Sequence, residues 1–239
     1  MRSETTLDGL RDVRVYQYVD GYRFSVDALL LYAFVQMKDA RTIVDLGAGS
    51  GIIGLLLARK YPKADVLLVE LQEQLFLLAS KSIRHNGLED RVRAVNADIR
   101  GIRQRLEPSS ADLVVSNPPY RSAGTGRLSV GDEKAIARHE LSVRLEDVVD
   151  AAAFVLKGKG RFAMIYLPER LIEVFELLRS RGLEPKRIRF VHNKISSVSK
   201  IVLVESVRDG RPGLRVERPL YLYGDNGEYT PEVLEMYGK

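Results

Sequence analysis

Between residues 42 and 192 the hydrophobic pattern switches back and forth between two periods, and this switching restricts the chain to one architecture. Short apolar runs rich in Val, Ile and Leu at residues 42–46, 64–70, 91–95, 111–116, 160–166 and 187–192 read as buried strands. Helical spacing fills the gaps at 51–60, 72–85, 99–106, 145–156 and 168–181, with Pro62, Gly87 and Gly182 as stops. Strands that alternate with helices must lie parallel, because each crossover carries the chain back to the same end of the sheet. The expected fold is therefore α/β: a doubly wound, mostly parallel sheet covered on both faces. Such sheets bind ligands beyond the carboxyl ends of their strands, where the strand order reverses. The functional residues belong at those ends.

The flanks are simpler. Residues 25–38 predict a helix, with Ser25 suited to its N-cap, Asp27 to its first turn and Lys38 to its last. Residues 200–208 and 214–219 flank Asp209-Gly210 and predict an antiparallel C-terminal hairpin, and Thr230-Pro231 opens a short final helix. At 239 residues, 45% hydrophobic, the chain suits one domain: an N-terminal segment and helix over 1–41 ahead of a core over 42–239. The longest early apolar run, residues 28–35, falls short of the roughly 20 residues of a membrane span, so a cytoplasmic protein with no membrane contact is expected. Its oligomeric state is not legible.

Cysteine is absent, which excludes disulfides, thiolate metal sites and a thiol nucleophile. His85, His139 and His192 are far apart, and no metal site is expected. The net charge is 37 − 32 = +5, and Lys186, Arg187, Arg189, Lys194 and Lys200 follow one another without an acid. Such a surplus attracts phosphate backbones, although a solvated basic edge would look the same. Residues 121–140 hold Gly124, Gly126 and Gly131 and no period, which suggests a functional loop.

Four strand ends carry polar groups. After the first comes Asp45-Leu46-Gly47-Ala48-Gly49-Ser50-Gly51. Gly49 to Gly54 fits the dinucleotide pattern G-x-G-x-x-G with Glu70 placed for ribose hydroxyls, but the turn begins two residues earlier, at Gly47. An Asp just before the turn suits an ammonium or sulfonium better than a pyrophosphate. Glu70 can accept two hydroxyls at once, or be an ordinary exposed acid. Asp98 can accept from an adenine amino group with Ile99 against the ring, or simply cap the helix that Ile99 opens. The fourth end, Asn117-Pro118-Pro119-Tyr120, is the most specific: the prolines hold Asn117 extended, so its amide oxygen and the Pro118 carbonyl can together accept both hydrogens of one planar NH₂ group. Tyr120 offers a face for stacking.

These segments, in this order, resemble the Rossmann-type S-adenosylmethionine-dependent methyltransferases that act on exocyclic or amide nitrogens. Gly21-Tyr22-Arg23-Phe24-Ser25-Val26-Asp27, Ala137-Arg138-His139-Glu140, Pro168-Glu169-Arg170, residues 183–187 and Phe190-Val191-His192 are further similar to the bacterial family that methylates the adenine next to the anticodon of valine tRNA. Residues 193–200 depart from that family's Pro-Lys-Pro-like loop. The resemblance implies a class I, Rossmann-like sheet of seven strands, S-adenosyl-L-methionine as cofactor and tRNA as partner. It implies a cofactor set of Phe24, Ser25, Asp45, Gly47, Gly49, Glu70, Leu71, Asp98, Ile99 and Asn117. Asn117, Pro118, Pro119 and Tyr120 would hold the target adenine, with Arg121, Arg127, Arg138, Lys186, Arg187, Lys194 and Lys200 on the RNA. The same corner would serve a glutamine-amide methyltransferase of a release factor, or an adenine methyltransferase of rRNA or DNA. A non-enzymatic RNA- or nucleotide-binding Rossmann module is the remaining alternative. Cytosine-ring methylation, which needs a cysteine, is excluded.

Overall fold

The computed structural model describes residues 4–19, 23–118 and 143–238. Strands β3 (Thr42–Leu46), β4 (Asp65–Glu70), β5 (Val92–Asn96), β6 (Ala111–Ser116) and β7 (Leu156–Tyr166) run parallel. β9 (Ser199–Arg208) pairs antiparallel with both β7 and β8 (Leu183–His192). The order is β8-β9-β7-β6-β3-β4-β5, seven long strands among the described residues, and it reverses between β3 and β6. Two short pieces, β10 (Arg215–Val216) and β11 (Leu220–Tyr221), extend the β8 edge.

Alternation along the strands explains the two cores. Ile43, Val66, Leu68, Leu113, Val115, Ala163, Ile165 and Leu203 face α1 (Val26–Phe34), α2 (Ile52–Lys60) and α3 (Glu73–His85). Val44, Leu46, Val114, Phe162, Met164 and Val204 face α4 (Leu145–Val155) and α5 (Leu171–Ser180). A period of two with both faces apolar is what a sheet covered by helices on each side requires.

Three expectations change in detail. The first helix ends at Phe34, so Lys38 lies beyond it. The antiparallel hairpin is real, but its partners are β8 and β9; residues 215–216 pair parallel with β8 instead of folding back on β9. The Asp209-Gly210 turn thus leads away to the outer edge of β8, because β9 is already flanked on both sides by β7 and β8. The N-terminal region holds an unforeseen hairpin, β1 (Thr5–Leu10) with β2 (Val13–Tyr18). Its β2 edge leans on α3: Tyr16 N donates to Ser82 Oγ at 3.0 Å, Asn86 exchanges two hydrogen bonds with Arg14, and Lys81 Nζ stands 3.7 Å from the Tyr16 ring. Helix side chains there satisfy strand groups that would otherwise be open. A closing helix, α6 (Pro231–Tyr237), has the expected proline in its first turn.

Candidate active site

The turn after β3 is built around positive φ at Gly47 (74°), Gly49 (58°) and Gly51 (89°). Gly47 N and Ala48 N both donate to Val69 O, at 2.9 and 3.0 Å, which ties the turn to β4. The glycines divide the work. A Cβ on Gly54 would stand 2.1 Å from Leu68 Cδ2, so this glycine lets α2 approach the sheet; among the described residues a Cβ on Gly47 or Gly49 would meet nothing within 4 Å. Bare backbone facing open space is a cradle for a ligand.

Asp45 lies fully buried under this turn. Its Oδ2 accepts from Gly54 N at 3.0 Å, while Oδ1 has no hydrogen-bond partner among the described residues. Burial pushes its pKa up to about 7; the Gly54 N–H pulls it down and the Glu70 charge pushes it further up. A buried acceptor with an open valence at a strand's carboxyl end suits a cationic donor and would repel a pyrophosphate. Glu70 is buried as well, not an exposed acid. Its Oε2 accepts from Gly49 N and its Oε1 from Gln72 N, both at 2.8 Å, and each oxygen keeps a lone pair for a hydroxyl. Asn96 Nδ2 holds the carbonyls of Glu70 and Leu71 at 2.9 and 2.8 Å.

Asp98 does cap the 3-10 helix Ile99–Gln104, accepting from Arg100 N at 2.9 Å. The Arg100 guanidinium grips both carboxylate oxygens and holds the carboxyl below its usual range; Ile99 beside it is buried. Across the switch point, Val115 pairs with Asp45 and Ser116 Oγ donates to Leu46 O at 2.8 Å in the core. The chain therefore leaves β6 beside the glycine turn, with Asn117 half-buried and Pro118 buried. Pro119, Tyr120, Arg121, Arg127 and Arg138 lie outside the described residues.

α1 ends at the far rim, where Lys60 Nζ donates to Tyr32 O and Val35 O, so its N-terminus points to the site. Ser25 caps it, accepting from Asp27 N at 3.2 Å. Phe24 N donates to Gln17 Oε1 at 2.6 Å, and Gln17 Nε2 donates to Asp8 Oδ2 at 2.8 Å; Asp8 also pairs with Arg23 at 2.9 Å. Gln17, Ser116 and Asn96 thus shape the site without a motif to announce them. A buried Gln in a strand and a polar residue closing an apolar run are the signals available.

The basic run does not form one patch. Lys186 and Arg187 sit near the start of β8, at the rim opposite Asn117, whereas Lys194 and Lys200 follow its end. Arg187 is a correction: it is 5% exposed, paired with Glu205 at 3.0 Å and Glu217 at 3.2 Å, and packed 4.0 Å over the Phe34 ring. Its charge is neutralised inside the protein and is unavailable to a phosphate. Arg189 is likewise bound to Glu232 at 2.7 Å.

An open glycine turn, a buried acid beneath it, a second acid one strand away and an Asn-Pro corner at the switch point define a Rossmann-like methyltransferase that takes its methyl group from S-adenosylmethionine. The chain belongs to the Methyltransferase small domain family, which matches residues 24–167. It is similar to the tRNA1(Val) (adenine(37)-N6)-methyltransferase of Pedobacter heparinus, at 29% identity over 210 residues, 87% of this chain and 86% of that one. The protein of the same name from a Shewanella strain is 26% identical over 221 residues, 90% of both chains. Among solved structures, a predicted O-methyltransferase of Agrobacterium tumefaciens superposes with a TM-score of 0.71 at 24% identity, covering 89% of this chain and 95% of that one. A 16S rRNA N2 methyltransferase of T. thermophilus, solved with AdoMet and guanosine, gives 0.60 at 19% identity over 86% of this chain and 50% of that one. These two likenesses speak to the fold.

Proposed function

We propose that this enzyme methylates the exocyclic amine of an adenine in tRNA, the adenine beside the anticodon of valine tRNA. The observation that supports the reading is the position of Asn117 and Pro118 directly after Ser116, whose buried hydroxyl donates to Leu46 O at the start of the glycine turn. The names and nearly full-length coverage of the relatives support the same substrate.

When bound, S-adenosylmethionine supplies a methyl group already activated on a sulfonium, so the protein's work is to orient and desolvate. Asp45 orients the ammonium end, with Phe24 and Ser25 over it, and Gly47 and Gly49 admit the ligand to bare backbone. Glu70 accepts the ribose hydroxyls beside Leu71, and Asp98 accepts from the cofactor's adenine amine while Ile99 packs on the ring. Asn117 Oδ1 and the Pro118 carbonyl accept the two hydrogens of the target amine, which keeps its lone pair out of the ring and aimed at the methyl group. Tyr120 stacks on the target base, and Pro119 stiffens the corner. The nitrogen sheds a proton to water once methylated, so no dedicated base is needed. An anticodon-loop base is unpaired and turns out of its stack at little cost. Arg121, Arg127, Arg138, Lys194 and Lys200 hold the backbone, with Lys186 further away.

The test is methyl transfer to valine tRNA transcript followed by nucleoside mapping. Parent enzyme is expected to yield N6-methyladenosine at that one position. Asn117→Ala should lower turnover about a hundredfold or more while leaving S-adenosylhomocysteine affinity within about threefold. Near-normal turnover by Asn117→Ala would remove the corner from the mechanism.

A further inference from the structure

The turn joining β8 to β9 stands at the same rim as Asn117, because β8 runs parallel to β6 and β9 starts where β8 ends. Two aliphatic side chains project from it: Ile195 is 72% exposed and Val198 76%. They are not there through fraying. Ser197 N donates to Lys194 O at 3.0 Å, Lys194 N to Ser197 Oγ at 2.9 Å, and His192 Nδ1, which therefore carries a hydrogen, donates to Ser197 O at 2.7 Å. Tyr223 N closes on Asn193 O at 2.9 Å, and the His192 ring rests against Tyr221 with centroids 5.4 Å apart. The turn is a built element that holds two apolar groups in water.

Its charges have one sign. Lys194 and Lys200 are both exposed, and no acid occurs from residue 185 to residue 204. Aliphatic faces between two cations match the faces of bases and sugars between phosphates. A partner read by acidic side chains would find no reason for Ile195 and Val198 between the lysines. The distance also suits RNA. β9 lies two strands from β6, about 10 Å at the usual spacing near 4.8 Å. Three stacked nucleotides at about 3.4 Å each cover that span.

We propose that residues 193–200 form a preformed RNA subsite in which Ile195 and Val198 pack on an unstacked base or sugar flanking the target, while Lys194 and Lys200 take the adjoining phosphates. The inference rests on the tRNA reading of the active site and adds to it the element that reads the neighbouring nucleotides.

The experiment measures binding of the valine anticodon stem-loop RNA, with S-adenosylhomocysteine present, across a salt series. Ile195→Ser with Val198→Ser should weaken binding about tenfold at every salt concentration and leave the slope of log affinity against log salt unchanged. Lys194→Ala with Lys200→Ala should flatten that slope by about 1.4, from roughly 0.7 per single-strand phosphate. Melting temperature and S-adenosylhomocysteine affinity should match the parent in both variants, which separates a lost contact from a damaged fold. Parent-like RNA binding and methylation by the serine variant would overturn this inference alone. A parent enzyme that neither binds nor methylates the RNA would overturn the functional reading and the subsite with it.

Discussion

Asp45→Asn tests the physical state of the site most sharply. In the free protein the carboxyl is fully buried, has one oxygen without a partner among the described residues, and titrates at about 7 against an ordinary 3.8. A carboxyl that binds its proton more tightly when folded favours the fold below its unfolded pKa, and that advantage is lost as the pH rises through the folded value. Each unit of difference corresponds to about 1.4 kcal/mol. Parent protein should therefore lose roughly 2–3 kcal/mol through this group between about pH 5 and about pH 8. The asparagine amide of the variant does not titrate, and any fixed cost of burying it is the same at both pH values. The stability gap between variant and parent should thus move in the variant's favour by roughly 2–3 kcal/mol, a relative gain of roughly 4–12 °C in melting temperature for a chain of this size. Urea and thermal unfolding at the two pH values without cofactor measure it. The ammonium of S-adenosylhomocysteine favours the ionised carboxylate, so the parent should release a proton on binding near pH 7, read by calorimetry in buffers of different ionisation enthalpy. The variant should bind more weakly and release none from this position. A gap that does not change with pH would refute a protonated Asp45 in the free protein.

Other outcomes follow from packing and polar pairing. Gly54→Ala forces a Cβ to 2.1 Å from the buried Leu68 Cδ2 and should cost about 1–3 kcal/mol in urea unfolding; Gly47→Ala, whose Cβ meets nothing among the described residues but whose φ of 74° strains an alanine, should cost about 1–2 kcal/mol and weaken S-adenosylhomocysteine as well. Arg187→Ala takes the buried partner from Glu205 and Glu217, which keep Arg161 and Arg215 at 2.8 Å, and should cost about 1–3 kcal/mol by denaturation, while the salt slope of RNA binding stays that of the parent. A flattened slope would return Arg187 to the RNA surface. Gln17→Ala deprives Phe24 N of its acceptor and takes one donor from Asp8 Oδ2, which keeps Thr6 and Arg23, and should cost about 1–3 kcal/mol. It should weaken S-adenosylhomocysteine more than 5′-methylthioadenosine, which lacks the amino-acid end; equal losses would detach the hairpin from that end.

The order of elements, the parallel sheet and the strand ends worth attention were legible in the chain, since each rests on local period and on where an apolar run stops. So were the cap at Ser25 and the turn starting at Gly47, which need only neighbouring residues. The N-terminal hairpin was not legible: Arg14, Tyr16 and Gln17 find their partners in Ser82, Asn86, Asp8 and Phe24, and no local pattern announces those pairings. The two strands at the far edge were visible, but the partner of residues 200–208 was not, because pairing is decided by which edge remains open after β7 and β8 have been placed.

Charge shows the same division. Sequence alone established that five cations run from Lys186 to Lys200 without an acid. Only the tertiary structure decided that Arg187 faces inward onto Glu205, that Lys186 and Lys194 lie at opposite rims, and that the open rim carries Ile195 and Val198 between its lysines. Residue types and their spacing determine what a segment can form. Burial, partner and electrostatic environment are properties of contacts between segments, and these come into being only when the sheet closes its edges and the helices cover its faces.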